Sequence, residues 1–481
     1  MKVNRWFGLL TVVLLSVSLM LPSVAEAEKV RTIADESIYD LLVDRFNNAN
    51  GQNDLNINAQ DPQAFNGGDF AGVMDRLQHI LDMGFTVISL GPVFETATYD
   101  GNEVLDYEEL EPHFGTADEF NSMIEAIHAK DLKVIADFPL NGVSANHVWT
   151  DELATLPATD GTVNWDYADL AVRQAIQDAI VGFLNTYDLD GIRLTKIAGV
   201  DTAYLNELIA AIKEADPDAY VLANEETDAG FDLTPNAEEM NALRTSFVSF
   251  DADTSPLGIF TSEHRGQLIQ VDDLTGPRYT YDIVEARMFP PTRWKLAAVA
   301  LFTMPGVPLM PYGTEIAVNG EQAPESHPYM NFRTDMELKD YIADLNSLRN
   351  QSETFRSGEF ELLYNEEGFI VYKISSPEET WIVALNNSAK TANTAIPVDV
   401  IGENKILRGL LDGDLIRESD DGLFRVVLER ELAEIYIASE DEGFNTPYLI
   451  ASILVYVLFL GFLFAVWRKG RQKKREEGSQ I

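Results

Sequence analysis

The sequence predicts an α/β protein made of a closed (β/α)8 TIM barrel, a small C-terminal antiparallel β domain and one transmembrane helix. Three observations predict this arrangement. Short apolar runs alternate with amphipathic helical stretches over residues 28–354, which is typical of repeated strand–helix units. Over residues 355–440 the pattern changes to short alternating segments separated by turn residues. Residues 448–467 carry no charge and are long enough to cross a bilayer as a helix.

Residues 1–27 have the features of a cleaved secretory signal peptide, with a transmembrane anchor as the alternative. Lys2 and Arg5 form a basic start, and residues 6–21 are mostly apolar. A small-x-small cleavage site follows at residues 25–27. We therefore expect the mature, exported chain to begin near Glu28.

Eight candidate strands divide the region 28–354, and most are followed by a helical stretch. The strand candidates are 38–44, 86–90, 133–138, 191–194, 220–223, 246–250, 279–283 and 308–312. The helix candidates are 70–83, 117–130, 168–186, 202–214 and 291–302. Eight parallel strands are the number that closes a barrel, and an open doubly wound sheet is the alternative.

The C-terminal end predicts a membrane anchor with a cytoplasmic tail. Residues 441–447 form a linker, and Tyr448 and Trp467 stand at the two ends of the apolar run, where aromatic rings favour the interface. Basic residues follow at once in the tail 468–481: Arg468, Lys469, Arg471, Lys473, Lys474 and Arg475. Because positive charge marks the cytoplasmic side, we expect a single-pass cell-membrane protein whose N-terminal part is extracellular.

Composition narrows the classes of partner and of chemistry. With 78 acidic and 35 basic residues, the net charge of −43 argues against nucleic acid as a partner. The chain has no cysteine, which excludes disulfides, thiolate metal sites and a cysteine nucleophile. An exported chain without cysteine favours a bacterial surface.

Several motifs give the chain a family likeness. "FNGGDFAGVMDRLQHILDMGFTVISLGPVFE", "YDLDGIRL", "YVLANEET" and "RWKLAAVALFTMPGVPLMPYGTEIAV" follow one another in the order of barrel segments. Over nearly all of residues 28–440 the chain resembles the α-amylase superfamily, the glycoside hydrolase family 13-like enzymes that act on α-glucans. The resemblance implies a (β/α)8 barrel with a C-terminal β-sandwich, and α-glucan or maltooligosaccharide as ligand.

The resemblance also implies where catalytic groups stand. Retaining glycosidases use two carboxyl groups about 5 Å apart, one as nucleophile and one as acid/base. Thr195 occupies the nucleophile position, two residues after the matching Arg193, and Glu225 falls on the acid/base position. The third family carboxylate is matched by Glu285 in "DIVE", with Asp253 in "SFDADTS" as the alternative.

Other changes on the sugar-facing rim agree with the loss at Thr195. Asp137 and Asn141 match a family motif that lies around the substrate, but Gly142 replaces its histidine, and Gly199 replaces another. Loss of a catalytic nucleophile lowers turnover by about 10⁴–10⁶-fold. The sequence therefore predicts a pseudoenzyme with lost or weak hydrolase activity.

One further set of residues matches a structural calcium site of related amylases. Calcium takes six or more hard oxygen ligands, whereas an Asn-rich turn is the alternative explanation for such a composition. The matching residues are Asn48, Asn50, Asn53, Asp54, Gly67 through its carbonyl, and Asp69.

Three functions stay open at this point. The first is a cell-surface protein of the α-amylase family in α-glucan metabolism or binding, with impaired catalysis. The second is an active hydrolase with an inverting pair of carboxylates, in which Glu225 is the acid and Asp251, Asp253 or Glu285 activates water. The third is a membrane scaffold that presents the barrel to a protein partner.

Overall fold

The structure, a computed structural model, describes residues 31–441 and 446–477. The predicted signal peptide, most of the predicted linker and the last residues of the tail lie outside this part of the chain.

The N-terminal domain is built on one parallel sheet. Its strands and hairpins are β1 (Ile38–Leu41), β2 (Val87–Pro92), β3 (Phe94–Thr96), β4 (Val104–Leu110), β5 (Lys133–Pro139), β6 (Thr155–Pro157), β7 (Val163–Trp165), β8 (Gly191–Thr195), β9 (Tyr220–Ala223), β10 (Leu268–Ile269) and β11 (Val307–Pro311). Seven of them pair in the order β10-β11-β1-β2-β5-β8-β9. The remaining four form the antiparallel hairpins β3–β4 and β6–β7.

A short segment between β9 and β10 completes the ring. Leu233 bridges to Leu222, and Pro235 bridges to Leu268, both in the parallel sense. The amide of Leu268 donates to the carbonyl of Thr234 at 2.9 Å. This segment stands where the sixth strand of a barrel is needed, so the predicted (β/α)8 barrel is confirmed.

Two predicted strands are wrong. Residues 246–247 end the helix Ala237–Phe247, and residues 279–283 belong to the helix Tyr279–Glu285. In the second case the β-branched and aromatic composition favours a strand, but Tyr279 and Ile283 are buried at helical spacing. The ring of Tyr279 also packs edge-on against Trp294. Tertiary packing therefore outweighs local propensity.

Most of the described helices surround the barrel, and several begin at clear capping residues. The described helices are Val43–Phe46, Phe70–Asp75, Leu77–Asp82, Ala117–His128, Leu170–Thr186, Thr202–Ala215, Ala237–Phe247, Tyr279–Glu285, Pro290–Thr303, Glu337–Gln351, Glu353–Ser357, Val398–Ile401 and Thr446–Glu477. Thr116 and Glu119 form a capping box, and Asp169 and Asp201 each accept a backbone N–H at the start of their helices. The predicted helix 70–83 divides at Arg76 into two short helices.

Apolar side chains fill the barrel interior. They come from the inward-facing positions of the strands: Ile38, Val87, Ile135, Tyr220, Leu222, Leu233, Leu268, Val307 and Leu309. Because these side chains fill the interior of the barrel, a site can form only at the C-terminal ends of the strands.

The C-terminal domain is a β-sandwich, as predicted. Its strands are β12 (Glu359–Glu366), β13 (Phe369–Ser375), β14 (Thr380–Asn386), β15 (Ala392–Pro397), β16 (Lys405–Gly409), β17 (Leu415–Arg417), β18 (Leu423–Leu428) and β19 (Ala433–Glu440). A six-stranded sheet, β12-β13-β14-β19-β16-β17, packs on the pair β15–β18 through a shared apolar core. Asn387 joins it to the barrel, since its Nδ2 donates to the carbonyls of Ser246 at 2.7 Å and Ser249 at 2.9 Å.

The last described element is the helix Thr446–Glu477. Its segment Leu449–Arg468 has a mean hydropathy of 2.8 and is not buried against the rest of the protein. By length and composition this segment is able to cross a membrane.

Candidate active site

The C-terminal ends of the barrel strands surround a cavity of about 60 Å³. Active sites of (β/α)8 barrels lie at this end. The residues that line this cavity are Asp40, Leu42, Gly91, Pro92, Asp100, Asn102, Asp137, Arg193, Thr195, Asn224, Leu268, Gln270, Asp273, Leu274, Thr275, Leu309 and His327. A water molecule takes up about 30 Å³ of liquid volume, whereas small-molecule pockets span roughly 300–1,000 Å³. With the side chains in this arrangement, the enclosed part of the cavity has room for a few solvent molecules, and open solvent lies beyond it.

An ion network occupies the centre of this site. Arg193 on β8 donates from Nε to Asp137 Oδ1 at 2.6 Å and from Nη2 to Asp40 Oδ1 at 2.9 Å. All three side chains are buried. Burial alone lowers the pKa of Arg193, but the charges of Asp137 and Asp40 outweigh it and raise that pKa above its usual value. The two carboxylates are thus held as partners of a cation, in a fixed geometry.

Thr195 ends β8 on the same face as Arg193, because side chains two apart on a strand share a face. It is 4% exposed. Its Oγ1 is buried and has no hydrogen-bond partner among the described residues. No base is therefore in contact with the hydroxyl that stands at the end of this strand.

Asn224, rather than Glu225, lies beside Thr195. Asn224 follows β9, lines the cavity, and has a buried Oδ1 without a partner among the described residues. Glu225 is half-buried and is not among the lining residues. Because strand side chains alternate, a shift of one residue decides which of the two faces the barrel axis.

Neither candidate for the third carboxylate reaches the cavity. Glu285 is exposed at the end of the helix Tyr279–Glu285, so its assignment to a seventh strand is wrong. Asp253 is exposed and accepts a hydrogen bond from the amide of Ser255 at 2.9 Å. The seventh strand of the barrel is β10, which pairs with β11 and is only two residues long.

The segment after β10 brings two polar side chains that the sequence reasoning missed. Gln270 and Asp273 both line the cavity, as does Asp100 from the loop between β3 and β4. Asp273 Oδ1 accepts the amide of Thr275 at 2.8 Å and that of Gly276 at 3.0 Å. The sequence pattern that could have predicted them is the apolar pair Leu268–Ile269, a short strand, followed directly by polar and acidic residues.

Lys196 closes the rim beside Thr195. Its backbone is left-handed, with φ of +52°, and its Nζ donates to the carbonyls of Asn102 at 3.0 Å and Gly142 at 3.2 Å. Burial lowers the pKa of Lys196, against the raising effect of nearby carboxylates. A Cβ placed on Gly142 would lie 2.8 Å from this Nζ. The lysine thus fills the space into which a side chain at position 142 would project.

Asn141 and His327 hold the surrounding loops. Asn141 Nδ2 donates to the carbonyl of Lys196 at 3.0 Å, so it supports the loop after β8 and does not line the cavity. The His327 ring contacts the Tyr99 hydroxyl at 3.0 Å through Nδ1 and the Leu274 carbonyl at 2.7 Å through Nε2. Burial lowers the pKa of His327, which favours the neutral ring.

The predicted calcium ligands lie in one loop and its neighbouring helix start. Asn48 Nδ2 donates to Asp54 Oδ1 at 2.7 Å, and a Cβ on Gly67 would lie within 2.9 Å of that same Oδ1. Asp69 Oδ2 accepts the amide of Asn50 at 2.8 Å. The Oδ1 of Asn53 is buried without a partner among the described residues. The described residues hold no group of three acidic or histidine side chains placed for a metal, so a cation here would depend on amide and carbonyl oxygens beside the carboxylates, a donor set that suits Ca²⁺.

Comparison with known proteins agrees with this architecture. Residues 40–169 match the family model "Alpha amylase, catalytic domain", and residues 358–436 match "Alpha-amylase C-terminal domain". A cyclomaltodextrinase of Geobacillus thermopakistaniensis (strain MAS1) is 24% identical over 433 residues, covering 79% of this chain and 73% of the relative. An intracellular maltogenic amylase of Bacillus subtilis (strain 168) is 24% identical over 421 residues, covering 76% and 71%.

Solved structures are more similar. An Anoxybacillus α-amylase superimposes with a TM-score of 0.81 at 32% identity, covering 86% of this chain and 100% of that protein. An α-amylase from Geobacillus thermoleovorans, solved with acarbose, gives a TM-score of 0.80 at 32% identity, covering 85% and 99%. Fold, domain order and sequence agree over the barrel and the sandwich together, and on that basis the chain belongs to the α-amylase family of glycoside hydrolases.

Proposed function

We propose that this protein is a membrane-anchored member of the α-amylase family that no longer hydrolyses α-glucans by the retaining mechanism. In this proposal it acts as a surface scaffold that presents the barrel to a partner. The observation that carries it is the small cavity at the barrel mouth, in which Thr195 ends β8 with an unpaired hydroxyl.

The chemistry of the lining residues supports the loss of hydrolysis. A retaining enzyme needs one carboxylate to attack the anomeric carbon and a second carboxyl group to protonate the leaving oxygen. The Thr195 hydroxyl has no adjacent base to activate it. The Asn224 amide beside it is not acidic enough to give a proton to a leaving oxygen at neutral pH. Asp40 and Asp137 are both engaged by Arg193.

An inverting hydrolase is the second candidate. Asp100 and Asp273 favour it, because both line the cavity and neither is paired with Arg193. The carboxylates first considered for this role lie elsewhere. Asp251, for example, accepts the amide of Ala389 from the C-terminal domain at 2.9 Å.

Sugar release from starch and maltooligosaccharides by the full chain in detergent micelles tests both candidates. We expect no release above a buffer control, from the wild type or from Thr195→Asp, because both have the Asn224 amide where a retaining enzyme needs a carboxyl group to act as acid. Release at the rate of a related α-amylase assayed alongside would overturn the proposal. Asp100→Asn and Asp273→Asn copies would then identify the acid and the base of an active enzyme.

We also propose a structural calcium ion in the loop that contains Asn48, Asn53, Asp54 and Gly67. The ion would receive oxygen ligands there, pin the loop to the barrel and take no part in the reaction. We expect excess calcium to raise the melting temperature of the EDTA-treated protein, and Asp54→Ala to remove the response. Asp61→Ala, an exposed aspartate of the same loop, is the matched control and should keep it. An equal response in wild type and Asp54→Ala would contradict the site.

The membrane part of the proposal depends on the segment Leu449–Arg468 and on the basic residues that follow it. Its length, apolar composition and flanking charge together support a single span with the tail on the cytoplasmic side.

A further inference from the structure

Four arginines gather at the N-terminal end of the barrel, opposite the cavity. Arg265 lies just before β10, and Arg349 lies on the helix Glu337–Gln351. Arg349 donates from Nη2 to the carbonyl of Gly306, the residue that precedes β11, at 3.0 Å. Arg31 precedes β1, and Arg356 lies on the helix Glu353–Ser357. The cluster therefore sits beneath the point where β10, β11 and β1 begin.

Two of these arginines are short of partners. Arg349 is 1% exposed, and its Nε and Nη1 are buried without a hydrogen-bond partner among the described residues. Arg265 donates from Nη1 to the carbonyl of Arg356 at 3.0 Å, but its Nε and Nη2 are likewise buried and unpartnered. Four guanidinium nitrogens with unused N–H groups are thus buried in one region.

The nearby carboxylates are engaged by the other two arginines. Asp35 pairs with Arg356 at 3.1 Å, and Glu36 contacts Arg31 at 3.5 Å. Burial, followed by the positive charges of Arg265 and Arg356, lowers the pKa of Arg349 to about 9. Burial likewise lowers the pKa of Arg265 to about 10. At neutral pH both guanidinium groups are therefore charged and close enough to repel each other. Neither forms an ion pair with a described carboxylate, and only the charge of Asp35 favours the cation of Arg349 from nearby.

A buried, unpaired guanidinium is costly, because it loses its hydration without gaining a counter-charge. Arginine does not escape this penalty by losing its proton at neutral pH. A buried water would satisfy some of these donors, but only a counter-ion also offsets the two positive charges. The region is also exceptional in a chain whose net charge is −43.

We propose that a small inorganic anion, of the size and charge of chloride, binds between Arg265 and Arg349 beneath the barrel. The four unused N–H sites match the donors that a desolvated monovalent anion needs. Their burial favours a single small ion over a bulky organic anion. Bound there, the anion ties the start of β10 to β11 and to the helix Glu337–Gln351, which gives it a role in stability that is independent of the barrel mouth.

A carboxylate from the chain itself could supply the same charge. Glu28 stands three residues before Arg31 in the sequence, within the part of the chain that the structure does not describe. This source and a free anion are separated by the experiment, because only the free anion depends on the composition of the buffer.

The test measures the melting temperature of the full chain in detergent, in sodium chloride and in sodium gluconate of equal ionic strength. We expect chloride to raise it saturably by about 2–4 °C, as binding to the folded state requires. Arg349→Met should abolish the difference between the salts. Arg293→Met is the matched control, because Arg293 is equally buried but is paired with Glu431, so this variant should keep the difference.

Equal melting temperatures in the two salts, with Arg349→Met as stable as the wild type or more so, would overturn the proposal. Loss of stability in Glu28→Gln without any dependence on chloride would also overturn it, in favour of the internal carboxylate. If Arg349→Met does not fold, crystals of the wild type grown with bromide decide the matter. An anomalous peak between Arg265 and Arg349 supports the site, and its absence contradicts it.

Discussion

At the barrel mouth, the side chain of Lys196 occupies the space that a side chain at position 142 would need. The lysine side chain lies where a Cβ on Gly142 would project, and its Nζ donates to the carbonyls of Asn102 and of Gly142 itself. A histidine at position 142, as the family pattern has it, would occupy the same space. We infer that Gly142 and Lys196 form a coupled pair, in which the missing side chain at position 142 gives the lysine room to close the rim.

The coupling predicts a specific result for Gly142→His. Left-handed backbone at position 142 costs a side chain about 1–2 kcal/mol, and displacing Lys196 adds about 1–3 kcal/mol of overpacking. Lys196→Ala in the same chain should recover the second part, which urea unfolding measures as a coupling energy of about 1 kcal/mol or more. Gly161→His is the control, because Gly161 also has positive φ but nothing within 4 Å of an added Cβ. Strict additivity of Gly142→His and Lys196→Ala would disprove the coupling.

At this scale the sequence predicted the centre of the site and missed part of its rim. Arg193, Asp137 and Thr195 were recognised from their motifs, and all three line the cavity. The sequence placed Glu225 at the acid/base position, whereas Asn224 is the residue that lines the cavity. This shift of one residue changes the face of the strand on which the functional group lies. Motif alignment has no sharper resolution than this where the matched stretch is short.

Among the elements, the helix Ala237–Phe247 carries an unusual buried acid. Glu239 is 1% exposed, and its carboxylate contacts the ring of His264. Burial raises the pKa of Glu239 to about 7. The folded state therefore holds the proton of Glu239 more tightly than the unfolded state does.

This shift predicts how stability depends on pH. Because the folded pKa lies above the ordinary value, stability falls as the pH rises from about 4.5 to about 7. We expect Glu239→Gln to be more stable than the wild type at pH 8, by about 1–3 kcal/mol, and to lose that advantage at pH 5. Urea midpoints at the two pH values measure the difference. Glu263→Gln, on an exposed side chain of the neighbouring turn, should show no such pattern. A constant gap between wild type and Glu239→Gln at both pH values would contradict the shift.

The strength of each element's pattern explains which elements were predictable. Long helices such as Leu170–Thr186 and Thr202–Ala215 have regular apolar spacing and capping residues, so they were placed to within two residues at either end. The strand β10 has two residues, and the bridging segment around Leu233 has no ladder of its own. Elements this short have no periodicity to detect, and the neighbouring strands define them.

At the scale of the whole molecule, the alternation of strands and helices was sufficient to predict the barrel, and the change of pattern predicted the sandwich. Family membership rests on independent agreement in fold and sequence. The apolar helix is equally evident in sequence and structure, but its function as an anchor calls for a direct test.

Two aspartates in the span should release the protein from the membrane. A charged side chain near the bilayer centre costs roughly 2.5–3.5 kcal/mol, so Leu458→Asp with Leu460→Asp should prevent stable insertion. We expect the wild type to stay in the membrane pellet after alkaline carbonate extraction and the double variant to appear in the supernatant. Leu170→Asp is the control, because Leu170 is 77% exposed on a barrel helix, and it should stay in the pellet. Wild type in the supernatant would contradict the anchor.

The shortness of the connection between β19 and the apolar helix has a consequence for how the proposed scaffold meets its partner. β19 ends at Glu440 and the helix begins at Thr446, so the intervening chain extends to roughly 20 Å at most. With the helix in a bilayer, the β-sandwich domain stays close to the lipid surface and diffuses in two dimensions with its anchor. A partner anchored in the same membrane then meets the sandwich within a thin layer, which raises its effective concentration, whereas a partner free in the medium gains nothing. The short linker therefore favours partners anchored in the same membrane, and it does so even where their intrinsic affinity for the protein is weak.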